Sequence, residues 1–273
     1  MAIARSSIEF SVVIPALNEQ SLLPSLLADL EVQEFKSFEV IVADAGSTDQ
    51  TVELATSFGA RVVAGGMPGT GRNNGARVAT GAFLVFLDAD VRISRTFLAD
   101  LHHQLQSRFL DLATCVIVPL SDSSVDRFLH SACMVAIRVG QYVDPHAPGF
   151  CIVISRRLFE RVGGFDESLR LAEDHDLVRR ASQFRPLRVL GAPQVQVSVR
   201  RLEKEGRIRL VTKYVGIELY RGLVGEIRTD AFDYEFASFS PKAAAGSRRA
   251  EVAPGSTDSA TPEPEGLPQG RNS

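Results

Sequence analysis

Residues 88–90 read Asp-Ala-Asp and follow directly on the apolar run FLVFL. Two carboxylates two residues apart at a strand end offer hard oxygen ligands to a divalent cation. Aspartates also serve turns and helix caps, so Asp88 and Asp90 alone do not decide. Asp44 closes a second apolar run, EVIVA. Three carboxylates brought to one place repel unless a cation or a hydrogen-bond donor neutralises them. A further acidic group, Glu173-Asp174-His175-Asp176, could supply a general base for a hydroxyl. It could equally charge the first turn of a helix, where the dipole favours acids. His175 reads as an exposed residue of that run rather than a ligand. Basic residues gather once: Arg200, Arg201, Lys204, Arg207, Arg209 and Lys213 stand against Glu203 and Glu205. Six minus two leaves a local +4, in a chain whose formal net charge is −3.

The elements that must position these groups alternate between strand and helix patterns. Residues 10–15 (FSVVIP) form a short apolar run, and Leu23, Leu26, Leu27 and Leu30 then recur at helical spacing. Residues 39–44 make a second strand. Ser47 and Gln50 have capping-box spacing and predict a second helix running to about Phe58. Residues 61–64 are a weak third strand. The segment GGMPGTG reads as a glycine-rich loop before a short helix near residues 72–79, and residues 83–88 as a fourth strand. This alternation predicts parallel βαβ units with helices on both sheet faces. Ligands in such sheets bind beyond the carboxyl ends of the strands, so Asn18, Glu19, Asp44, Asp88 and Asp90 are expected at one crevice. The second half is less regular. Helices are predicted over 94–107, 124–141, 173–183 and 206–225, and strands over 114–119, 151–155 and 195–199.

Two common nucleotide machines are disfavoured. Strand one is followed by PALNEQ, without the glycines of a dinucleotide fingerprint, and Gly69, Gly71 and Gly75 have the wrong spacing and place. No GxxxxGK[ST] motif occurs. The chain of 273 residues is 45% hydrophobic and 23% charged, which supports a sizeable core. Five of its 13 prolines fall after residue 240, in a stretch with no aromatic residue. Such a segment buries too little apolar surface to offset its ordering entropy. The expected organisation is one domain over residues 1–239, with a first half about 1–110 and a second half 111–239, and a disordered tail over 240–273. Cys115, Cys133 and Cys151 lie among apolar neighbours and read as three reduced, buried thiols. Without a global basic excess, nucleic acid is not an expected partner. The N-terminus MAIARSSIEF has no apolar secretory core, so the expected location is the cytoplasm.

Six motifs occur in order: PALNE at 15–19, DAGSTDQT at 44–51, GRNNGA at 71–76, FLDAD at 86–90, GGFDE at 163–167 and EDHDL at 173–177. Together they resemble family 2 inverting glycosyltransferases of the GT-A fold, over roughly residues 9–185. The resemblance implies an α/β fold with a Rossmann-like, mostly parallel sheet flanked by helices and a less regular acceptor side. It also implies transfer of a sugar from a nucleotide-diphosphate sugar, UDP-linked by expectation, to an acceptor hydroxyl. Pro15, Ala16, Asn18, Glu19 and Asp44 would hold the nucleoside. Arg72 and Asn74 would serve the donor, with Arg72 reaching its diphosphate or base. Asp88 would lie near the ribose or sugar, and Asp90, with Asp88, would bind Mn²⁺ or Mg²⁺. Asp174 would be the general base, with Glu173 orienting it or binding acceptor. Gly149-Phe150 and Gly163-Gly164-Phe165 would line the acceptor side.

Arg200 or Arg201 would hold the diphosphate. Residues 200–224 also fit peripheral contact with an anionic membrane, or a core-packed amphipathic helix. Two other functions are compatible with these residues. One is transfer to a polyprenyl phosphate at a membrane surface, where the acceptor is already an anion. The other is a noncatalytic nucleotide-sugar-binding protein, against which the intact carboxylates argue.

Overall fold

The computed structural model describes residues 8–200 together with Gly206 and Thr212. The predicted helix over 206–225, Arg201, the possible membrane segment and the tail lie outside these residues. Eight strands form one sheet in the order β3-β2-β1-β4-β7-β6-β8-β5. The first four, β1 (Phe10–Ala16), β2 (Phe38–Asp44), β3 (Arg61–Ala64) and β4 (Phe83–Leu87), run parallel. Their carboxyl ends share one edge, with Ala16 opposite Asp44 and Asp44 opposite Ala64. β7 (Cys151–Ser155) runs antiparallel between β4 and β6 (Leu112–Pro119). Cys151 therefore pairs with Leu87, which brings the residues before β7 level with Asp88.

The central strands β1, β4 and β7 are buried along nearly their whole length because both of their faces are covered. Val12, Ile14, Val85 and Leu87 point to one core, which α1 (Leu23–Glu31), α4 (Phe97–Arg108) and α5 (Ser124–Gly140) complete. Val13, Leu84 and Phe86 point to the other, closed by α3 (Pro68–Val78), α6 (Arg156–Arg161) and α7 (Glu173–Ser182).

Several local expectations change. α2 (Thr51–Ser57) starts four residues after Ser47, whose hydroxyl donates to Asp44 instead of capping a helix. Only residues 65–67 of the glycine-rich segment form a loop: α3 begins at Pro68 and contains Gly69, Gly71 and Gly75. A Cβ on Gly75 would lie 2.4 Å from Val13 Cγ1, so glycine there lets α3 lie directly on β1. β8 (Arg188–Val197) is longer than expected. Its register against β6 shifts between Cys115 and Val116, with residues 191–193 looped out, which hid its first half as a strand pattern. β5 (Val91–Ile93) and α6 were not foreseen, being short. Cys115 and Cys151 are buried, but Cys133 is exposed on α5, against expectation. No helix among the described residues is long and apolar enough to cross a membrane.

Candidate active site

The loops after β1 and β2 are stitched together. Asn18 stands in the left-handed region at φ 55°. Its N–H donates to Ser47 Oγ at 2.9 Å, and its Oδ1 accepts from the Thr48 N–H at 2.8 Å. The next N–H, of Glu19, donates to Thr51 Oγ1 at 2.9 Å. Asp44 accepts from the backbone of Gly46 and Ser47 at 3.0 and 2.9 Å, and from the Ser47 hydroxyl. Asp44 thus shapes the loop after its own strand and does not cap α2. Pro15 and Ala16 end β1 beside it.

Arg72 is the centre of the next group. It is 3% exposed, near the start of α3. Its Nη1 donates to Glu173 Oε1 at 2.7 Å and its Nη2 to Asp88 Oδ1 at 2.8 Å. The guanidinium carbon lies 5.6 Å from the Phe165 ring centroid. Burial works against the charge, but Asp88, Glu173 and Asp174 outweigh it and raise the guanidinium pKa further. Nε has no partner among the described residues. Glu173 is 8% exposed. Burial pushes its carboxyl up, and Asp174 adds to this, while Arg72 opposes it.

Asp174 follows on the first turn of α7 and is half-buried. Its Oδ1 accepts from the His175 N–H at 2.9 Å. Its Oδ2 faces the segment before β7: a Cβ built on Gly149 would lie 3.2 Å from this oxygen and 2.8 Å from Arg72 Nη2. Gly149 is therefore required by close approach. Beside it His146 packs on His175, with ring centroids 5.0 Å apart.

Asp90 belongs to a third group. Arg200 Nε lies 3.3 Å from Asp90 Oδ2, while Arg200 Nη1 and Nη2 bond Glu19 at 3.0 and 2.8 Å. Arg200 thus ties the loop after β1 to the end of β4. Arg72 is expected at the donor diphosphate or base, and Arg200 or Arg201 at the diphosphate; in the structure Arg72 and Arg200 are both engaged by carboxylates. Asn74 turns away from Arg72 and donates to the Ala64 carbonyl at 2.9 Å. Arg201 lies outside the described residues.

Asn73 is the residue that sequence reasoning missed. Its Nδ2 donates to Phe165 O at 2.9 Å and Glu167 Oε1 at 2.8 Å, and its Oδ1 accepts from Phe165 N at 2.9 Å. It fastens α3 to the GGFDE segment. A helix beginning at Pro68, and not at Arg72, would have put Asn73 on the inner face with Gly69 and Ala76.

Among the described residues no three His, Cys, Asp or Glu side chains converge as a metal cage. The donor set nonetheless fits an ion of the Mg²⁺ type, which is held by one or two carboxylates plus substrate phosphates. Asp88, its side chain 30% exposed, and Asp90 supply such oxygens at one strand end.

The family model described as glycosyl transferase family 2 matches residues 11–163, more than half of the chain. A PGL/p-HBAD biosynthesis glycosyltransferase of Mycobacterium bovis (strain BCG / Pasteur 1173P2) is 37% identical over 89 residues. That match covers 30% of this chain and 35% of the relative, so it spans about a third of the relative's length. Staphylococcus aureus TarS 1-349 in complex with UDP-GlcNAc superimposes with a TM-score of 0.58 at 22% identity, over 70% of this chain and 58% of that one. A mannosyltransferase from Pyrobaculum calidifontis in complex with GDP-Man and Mn²⁺ has a TM-score of 0.58 at 21% identity, over 76% and 64%. These structural likenesses carry the fold, a GT-A type α/β architecture. With the six motifs placed along one sheet edge and its flanking helices, the family match settles the lineage: the chain belongs to glycosyl transferase family 2.

Proposed function

We propose that the protein transfers a sugar from a nucleotide-diphosphate sugar, UDP-linked, to an acceptor hydroxyl with inversion at the anomeric carbon. The observation that carries this is the continuity of Asp88, Arg72, Glu173 and Asp174. One buried guanidinium joins the carboxylate after β4 to the carboxylates that open α7. Donor-side and acceptor-side groups are thereby held in one frame. The related structures bind UDP-GlcNAc in one case and GDP-Man with Mn²⁺ in the other, which supports a nucleotide-sugar donor.

In this reading Pro15, Ala16, Asn18, Glu19 and Asp44 form the nucleoside wall. Asp174 takes the proton of the acceptor hydroxyl. The acceptor oxygen attacks the anomeric carbon from the face opposite the diphosphate, and the sugar–diphosphate bond breaks with its electron pair leaving on the diphosphate. Glu173 and Arg72 position Asp174. Mn²⁺ or Mg²⁺ at Asp90 and Asp88 would supply positive charge to the leaving diphosphate.

The test is a donor panel of UDP-, GDP- and dTDP-sugars with Mn²⁺, read as nucleotide release and thermal shift, on wild type and Asp174→Asn. The variant is expected to keep its thermal shift with UDP and to lose turnover at least 100-fold, about 2.7 kcal/mol of barrier. Normal turnover by Asp174→Asn would remove the base assignment, and no shift with any nucleotide would remove the donor class.

A further inference from the structure

Both carboxylates of the Asp88-Ala89-Asp90 turn are met by a guanidinium, but on unequal terms. Arg72 holds Asp88 at 2.8 Å, is held at the same time by Glu173, and is 3% exposed. Arg200 meets Asp90 Oδ2 through Nε at 3.3 Å, and its side chain is 22% exposed. That contact is longer than the roughly 2.7–2.9 Å of a strong charge-assisted bond. Its Nη1 and Nη2 fork on the two carboxylate oxygens of Glu19 at 3.0 and 2.8 Å. A planar fork on a carboxylate is the firmer of the two holds. Glu19 is fixed in turn. Its N–H donates to Thr51 Oγ1 at 2.9 Å, and its carbonyl accepts from the N–H groups of Leu22 and Leu23 at 3.1 and 2.9 Å. The end of β8 delivers Arg200 to this place. Val197 pairs with Val91, the Ser198 N–H donates to Asp90 O at 3.3 Å, and the Arg200 N–H donates to Ser198 Oγ at 3.2 Å.

We propose that Arg200 and the divalent cation compete for Asp90, so that the protein takes its metal together with the nucleotide and not before it. This competition presupposes the metal-assisted transfer proposed above and names the residue that governs entry of the metal. A cation of the Mg²⁺ type sits roughly 2.0–2.1 Å from a carboxylate oxygen, so a guanidinium on the same carboxylate is a like charge at close range. The Asp90 side chain is 15% exposed, and water screens that repulsion poorly. Arg200 can yield without leaving, because the fork on Glu19 keeps it in place while the Nε contact opens. Arg72 has no such freedom, since carboxylates hold two of its nitrogens. Metal that comes alone displaces Nε with nothing to offset the two positive charges. Metal that comes with a diphosphate brings the negative charge that lets both stay.

Electron paramagnetic resonance of free Mn²⁺ measures this on the full chain, with and without UDP. Wild type is expected to bind Mn²⁺ weakly alone and more tightly with UDP. Arg200→Gln and Arg200→Met, either of which suffices, are expected to bind Mn²⁺ alone about tenfold more tightly, with a smaller gain from UDP. Arg92→Gln removes a charge two residues from Asp90 whose side chain bonds Asp29 instead, at 2.6 Å, and is expected at the wild-type value. Wild-type Mn²⁺ affinity in the Arg200 variants overturns the proposal. So does an equal gain in Arg92→Gln, which would make the effect one of overall charge. Asp90→Asn tests the underlying reading by itself: if it binds Mn²⁺ with UDP as tightly as wild type, the metal is not at Asp90, and the competition falls with that assignment.

Discussion

Replacing Arg72 by methionine removes the positive charge and its five N–H donors and keeps an unbranched stem out to about the position of Nε. In the wild type that charge holds Glu173 at 2.7 Å and Asp88 at 2.8 Å, with Asp174 close enough to act on it electrostatically. The two bonded partners differ in what they can do next. The Asp88 side chain is 30% exposed and regains water, while that of Glu173 is 11% exposed and does not. Removing one partner of a buried ion pair costs about 3–5 kcal/mol, because the other charge is left uncompensated. For a domain of this size that is a fall in Tm of roughly 6–20 °C. The penalty depends on pH, and its sign follows from Glu173. Burial and Asp174 already push its carboxyl above the ordinary 4.5, and loss of Arg72 pushes it further. A carboxyl whose folded pKa is raised contributes stability below its unfolded pKa and loses it as pH rises through the folded value. The Arg72→Met penalty should therefore be largest at pH 8 and should shrink on acidification, as Glu173 takes up a proton. Urea unfolding of both proteins from pH 8 downwards measures it. A penalty under about 1 kcal/mol at pH 8, or one that grows on acidification, would refute the reasoning.

Two further substitutions test the frame around Arg72. Gly149→Ala places a methyl 2.8 Å from Arg72 Nη2 and 3.2 Å from Asp174 Oδ2, and Arg72 is pinned at both ends. The expected cost is about 1–3 kcal/mol of stability, with turnover reduced tenfold or more; a variant with wild-type turnover and melting would show that the segment yields freely. Asn73→Ala leaves the N–H and C=O of Phe165 without their side-chain partner. At about 1–3 kcal/mol for each of these two orphaned groups, urea unfolding should show a loss of about 2–6 kcal/mol, and a loss below about 1 kcal/mol would contradict the bonding described.

What the sequence made legible follows from the range of the interactions involved. β1 and β4 are apolar because both of their faces are covered, and a run such as FSVVIP carries that signal in its own residues. Asp44, Asp88 and Asp90 could be placed because each ends or follows such a run. Arg72 could be noticed but not understood, since its partner Glu173 stands 101 residues away. Arg200 is a stronger case, bonding Glu19 across 181 residues. Asn73 and Asn74 differ only in helical phase, and the phase was lost when glycine and proline were read as loop-formers. In this helix Pro68 stands at the first turn, where its missing N–H costs nothing, and Gly75 is needed because Val13 leaves no room. The looped-out residues of β8 broke its alternation, so only its regular second half was visible.

The reversed direction of β7 has a wider meaning. Because β7 runs antiparallel to both its neighbours, the chain leaves the sheet at Pro119 and returns at Cys151 on the same edge as the ends of β1, β2 and β4. Everything between, α5 and the segment to Gly149 included, hangs from two adjacent strands. Lengthening such an excursion costs only about 0.6 kcal/mol for each doubling. None of the hydrogen bonds that stitch the loops after β1 and β2 passes through it. The arrangement works as a cassette: this excursion can be exchanged for another while the stitched loops after β1 and β2 stay as they are.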